Sequence, residues 1–141
     1  MKIDLSLVNW AAVAVAGVAA FMIGGAWYSA LFGKQWIRLQ GWSDEKVAEM
    51  KAKMSPAKFL GGQFACSLVL AFTVALLVVT LNLRSVVEGA CLGSILWLGP
   101  AAAITLMGHL ASGRRNGLYF IDTGYQLACL VTQGIILAAW R

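Results

Sequence analysis

The sequence predicts an all-α, polytopic membrane protein: four transmembrane helices in an antiparallel bundle, with a short amphipathic surface helix between the first two. Three observations carry this expectation. First, 60% of the 141 residues are hydrophobic and only 12% are charged, whereas soluble domains carry about 25% charged residues. Second, the charges bound four long uncharged runs. There are 29 residues between Asp4 and Lys34, 25 between Lys58 and Arg84, 25 between Glu88 and Arg114, and 18 from Thr123 to Trp140. About 20 apolar residues cross a bilayer core as a helix, so four runs give four spans. Third, the cations fall in alternate connections. Lys34, Arg38, Lys46, Lys51, Lys53, Lys58, Arg114 and Arg115 are eight on one side; Lys2, Arg84 and Arg141 are three on the other.

That asymmetry follows the positive-inside rule. It predicts a protein of the inner (cytoplasmic) membrane with both termini outside and with loops one–two and three–four cytoplasmic. The formal net charge of +5 is thereby assigned to topology, and no nucleic-acid partner is expected. A single transmembrane domain is expected over residues 1–141, with spans at about 5–32, 59–82, 87–110 and 118–140 and a cytoplasmic loop at 33–58.

The first run exceeds a signal-peptide core of about 7–15 residues, and Asp4 spoils a basic leader. It is therefore expected to stay as span one. Two ladders of small residues run along it: Gly25, Ser29 and Gly33, and Ala16, Ala20 and Gly24. Such rows let helices approach closely in lipid. In the loop, "W-S-D-E-K-V-A-E-M-K-A-K-M-S-P" predicts the surface helix. Ser43 is its N-cap, Asp44 and Glu45 sit where the helix dipole favours anions, and Pro56 marks its stop. Trp42 is placed to staple onto Val47. Val47, Met50 and Met54 form an apolar stripe suited to a headgroup layer.

Span two opens with "G-G-Q-F-A-C-S" and turns aliphatic. Span three begins with a Gly89/Gly93 pair and should bend at Pro100, which removes a backbone hydrogen bond. In span four, Asp122, Gln126, Cys129 and Gln133 share one face, expected to look inward; Leu118, Ile121, Leu130 and Leu137 are expected to face lipid. Trp10 and Trp140 should mark the outer interface, and Trp27, Tyr28, Trp36, Trp42 and Tyr119 the inner one. Cys66, Cys91 and Cys129 lie within spans without a C-x-x-C pair, as small packing residues.

Threading four antiparallel helices gathers polar groups at the inner rim: Tyr28, Ser29, Gln63, His109, Asp122, Tyr125 and Gln126, with Trp27, Lys34 and Arg114 beside them. These ten form the candidate ligand or lipid-binding layer, since ionisable residues in spans usually face protein or water. For Asp122 the preferred reading is structural: a helix N-terminus favours its charge, and Arg114, Arg115 or Lys34 would neutralise it. The competing reading has it bind or shuttle a proton or a cationic group. His109 is the only histidine, so it does not supply a clustered metal site. No metal, cofactor or catalytic residue is expected.

The segments "W-Y-S-A-L-F-G-K-Q-W", "G-S-I-L-W-L-G" and "G-R-R-N-G-L-Y-F-I-D-T-G-Y-Q-L" resemble the domain of unknown function 1761 family over nearly the whole chain. Many members carry proline where this chain has Ala30. The resemblance implies a four-span bacterial-type protein whose motif residues are Trp27, Tyr28, Ser29, Gly33, Trp36, Asp122, Gly124 and Tyr125. It implies no activity.

The leading expectation is a non-enzymatic membrane protein, oligomeric or an accessory subunit of a complex, with membrane lipids as partners at the inner rim. The alternative is a small proton-coupled transporter or channel using Asp122. A third reading, an enzyme on lipid-linked substrates, would need Ser29, His109 and Asp122 in contact.

Overall fold

A computed structural model describes residues 4–141; Lys2, one of the three cations counted for the outer side, lies outside them. Span one is α1 (Trp10–Ala26) continued by a π-helical turn, Trp27–Leu31. The connection that follows holds α2 (Gly33–Gln40) and α3 (Asp44–Lys53). Span two is α4 (Pro56–Thr80). Span three is α5 (Val86–Leu96), a second π-helical segment at Trp97–Ala102, and α6 (Ala103–Ser112). Span four is α7 (Asn116–Ala139). The four spans, Trp10–Leu31, Pro56–Thr80, Val86–Ser112 and Asn116–Ala139, are each long and apolar enough to cross a membrane.

Local chemistry sets the ends. Span one starts at Trp10, five residues later than the uncharged run. Asn9 caps it, its side chain accepting from the Ala12 amide at 3.1 Å. Leu5–Leu7 form a separate 3-10 turn closed by the Asp4 carboxylate, which accepts from the Ser6 amide and hydroxyl. Those bonds hold the Asp4 carboxyl below the usual carboxylate range. Ser43 caps α3 as expected, accepting from the Lys46 amide at 3.2 Å. Pro56 is both the stop for α3 and the first residue of α4, where its missing N–H is harmless. The segment between span one and α3, expected as loop, is helical as α2, which ends on Gly41 in the left-handed conformation (φ +71°).

Span four is the centre of the molecule. Spans one, two and three all pack against it, and span one also packs against span two. Spans two and three share only a tight turn, closed by Leu83 N–H donating to the Val78 carbonyl at 3.0 Å. Beyond that turn they diverge, leaving a cleft between them. This arrangement corrects one expectation. Leu118, Ile121, Leu130 and Leu137 were assigned to lipid, but they are only 2–6% exposed. A helix contacted on three sides has little surface to offer lipid, and apolar side chains suit either surroundings.

The closest approach is between α5 and α7. A Cβ at Gly89 or Gly134 would collide with the other's backbone, and one at Gly93 with the Leu130 carbonyl. The predicted Gly89/Gly93 pair is thus a helix contact within the chain. Of the two ladders in span one, Ala16, Ala20 and Gly24 form the packed one: both alanines are buried, and Gly24 faces the Tyr125 ring. Gly25 meets nothing. Gln133 is fully buried where spans one, two and four meet, its amide donating to the Ser67 carbonyl at 3.1 Å and the Ala16 carbonyl at 3.5 Å.

The two ends differ in chemistry. At the terminal end, the Asn9 amide donates to the Trp140 carbonyl (3.1 Å) and Arg141 to Asn82 (2.7 Å), tying both termini to the two–three turn. The opposite, basic end carries α2, α3 and the three–four turn.

Candidate functional site

The site begins with the start of span four. Asp122 lies six residues into α7, about 9 Å along its axis at 1.5 Å per residue. Its Oδ1 accepts from the Tyr28 hydroxyl at 2.7 Å and from the Trp36 indole N–H at 3.1 Å. Two elements therefore converge on one oxygen: the π turn ending span one, and α2. No hydrogen bond among the described residues reaches Oδ2, which is not enclosed either.

The expected neutralisation of Asp122 by Lys34, Arg114 or Arg115 is not found. Among the described residues, the ion pairs are Lys46–Glu49 and Lys53–Glu49, both on α3. Lys34, Arg38, Arg114 and Arg115 are exposed. Neutral donors replace cations because α2 folds back on span four, with Leu39 packed over Gly117, and thereby carries Trp36 to the carboxylate.

Two π-helical turns clamp the same stretch of α7. In the first, the Phe32 amide bonds the Trp27 carbonyl five residues back, at 2.8 Å. The second contains Pro100, so the expected bend takes the form of a widened turn. Each begins with a tryptophan. Trp27 Nε1 donates to the Ile121 carbonyl at 3.0 Å, and Trp97 Nε1 to the Thr123 carbonyl at 2.8 Å. The backbone is thus held on either side of Asp122.

Aromatic rings extend the site. Tyr125, Tyr28, Trp36 and Trp42 form a row of edge-to-face contacts, with centroids 5.3, 6.0 and 5.5 Å apart. Trp42 thus meets Trp36 edge to face. Tyr125 closes the row at the cleft between spans two and three, a space of about 340 Å3 that Gln63, Cys66, Ser67, Gln126 and Cys129 also line. A second hollow, of about 430 Å3, lies at the basic end among Trp27, Phe32, Gln35, Gly117, Phe120 and Ile121.

Of the ten predicted residues, Trp27, Tyr28, Asp122 and Tyr125 come together. Ser29 does not join them: it is exposed, and its hydroxyl donates to the Gly25 carbonyl of its own helix at 2.5 Å. Gln63, exposed on span two, does not reach the carboxylate but lines the cleft with Tyr125 and Gln126. Gln126 is paired with Thr105 of α6 (3.1 and 3.2 Å). His109 is buried against the Tyr119 ring, 5.7 Å away, and its Nε2 has no partner. Lys34 and Arg114 stand at the basic surface. Trp36, Trp97 and Thr105 were missed as site residues. For Trp36 a signal existed, its place in the L-F-G-K-x-W segment; for the others no spacing or charge pointed to α7.

These features define a multi-pass helical membrane protein whose fourth span is gripped around a carboxylate by the ends and bends of its neighbours. The family described as "Protein of unknown function (DUF1761)" matches residues 11–138, and the chain belongs to that family. Comparison with curated proteins and with solved structures gives no match.

Proposed function

We propose that this is a non-enzymatic protein of the inner membrane that binds phospholipid headgroups at its basic end. It sits with both termini outside and acts as an oligomer or as a subunit of a larger membrane complex. One observation carries the reading. Of eight cations at the basic end, only Lys46 and Lys53 have an acidic partner; Lys34, Arg38, Lys51, Lys58, Arg114 and Arg115 have none among the described residues. A surface of unpaired cations beside a bilayer is matched by lipid phosphates. The hollow walled by Trp27, Phe32 and Phe120 offers an apolar seat beneath them. Gly25, Gly61, Gly62, Gly99 and Gly108 have open space where a side chain would be, which supports helix contacts beyond one chain.

The test is native mass measurement of the full chain released from membranes in mild detergent. Retained phospholipid on a defined oligomer or complex is expected. A clean monomer without lipid overturns the proposal.

A second reading, a proton-coupled transporter, draws on the missing cation partner of Asp122. It requires Asp122→Asn to abolish flux in proteoliposomes, and unchanged flux rejects it. An enzymatic reading has less support: the Ser29 hydroxyl is engaged by its own helix, and His109 Nε2 contacts no nucleophile.

A further inference from the structure

We infer that the free oxygen of Asp122 takes the primary ammonium of a zwitterionic aminophospholipid, whose phosphate meets the neighbouring cations. The inference rests on the headgroup reading above and names the headgroup. A carboxylate inside a span normally has a cationic partner or faces a polar ligand. Asp122 has neither a cation within ion-pair distance nor a bond to Oδ2 among the described residues. Tyr28 and Trp36 both donate to Oδ1, which fixes the carboxylate and leaves Oδ2 without a hydrogen bond among the described residues.

Charge selects between the possible sources of a primary ammonium. The basic end holds eight cations against the four acids Asp44, Glu45, Glu49 and Asp122, a clear positive excess. That field repels a free amine. A headgroup that brings its own phosphate satisfies both signs: the phosphate meets Lys34, two residues before Trp36, or Arg114 and Arg115 at the head of α7, and the ammonium meets Asp122. Depth agrees, since Asp122 lies about 9 Å from the start of α7, within reach of the polar interface. A primary ammonium donates three hydrogen bonds and fits an accepting Oδ2; a quaternary ammonium donates none.

The experiment equilibrates the full chain in vesicles of equimolar phosphatidylethanolamine, phosphatidylglycerol and phosphatidylcholine, extracts it mildly, and reads retained lipid by native mass spectrometry. Phosphatidylethanolamine should be retained above both others. Asp122→Asn should lower its retention about tenfold, equivalent to about 1.4 kcal/mol, and leave phosphatidylglycerol unchanged. Because that substitution also touches the Tyr28 bond, the wild-type comparison of ethanolamine with choline lipid is an independent arm. Equal retention of the two overturns the inference, as does displacement of the lipid by millimolar free ethanolamine. Retention of phosphatidylglycerol alone overturns it while leaving the headgroup reading standing. No retained lipid overturns both.

Discussion

The Tyr28 hydroxyl donates to the Asp122 carboxylate across 2.7 Å, joining the end of span one to the start of span four, 94 residues apart in the chain. Trp36 donates to the same oxygen from α2. One carboxylate thus fixes three elements at the basic end, with neutral donors in place of the cations that stand nearby. Bonds to a charged acceptor are stronger than neutral ones, and both of these are part-buried.

Tyr28→Phe should therefore lower stability by about 1–2 kcal/mol. That range lies between the ~0.6 kcal/mol of an average bond between membrane helices and the ~1.5–3 kcal/mol of one to a charged group. Equilibrium unfolding in mixed micelles measures it. A loss under about 0.3 kcal/mol would remove this bond from the forces holding span four.

The contact between α5 and α7 should tolerate no side chain. Gly89→Leu and Gly134→Leu should abolish folded protein on size exclusion, because backbone atoms occupy the space a Cβ would need. Gly61→Ala and Gly62→Ala meet nothing within the chain. They should leave monomer stability unchanged or raise it by up to about 1 kcal/mol, the helix-propensity difference.

Gln133 tests whether a buried amide holds spans one, two and four together or merely fills space. Its Nε2 donates to two helix carbonyls, while Oε1 has no partner. Both carbonyls lie inside helices and keep their ladder bonds when the amide is removed, so an apolar side chain of similar size leaves no buried acceptor orphaned. Gln133→Leu should change stability by less than about 1 kcal/mol, and Gln133→Ala should cost at least about 2 kcal/mol through the cavity it leaves. Similar losses for both would assign the stability to the hydrogen bonds instead.

Orientation is checked by labelling. In a variant with Cys66, Cys91 and Cys129 replaced by Ala, Lys51→Cys should react with an impermeant maleimide only in inverted vesicles, and Leu5→Cys only in intact spheroplasts. Both positions are exposed, at opposite ends of the fold. The reverse pattern would overturn the positive-inside assignment.

The sequence by itself determined the four spans, the Ser43 cap, the Gly89/Gly93 contact and the inward polar face of span four. Each follows from charge spacing, local hydrogen bonding or side-chain size, which a chain carries before it folds. The tertiary structure alone decided that span four is central, that Leu118, Ile121, Leu130 and Leu137 are inside, that Ser29 turns back on its own helix, and that Trp36 and Tyr28 rather than Lys34 or Arg114 hold Asp122. The reason is physical. Lipid tails are as apolar as leucine, so hydrophobicity marks a span without showing which of its faces meets another helix. Many donors lie within sequence reach of the carboxylate, and only the fold-back of α2 and the widened turn at Trp27–Leu31 select the pair that bonds it.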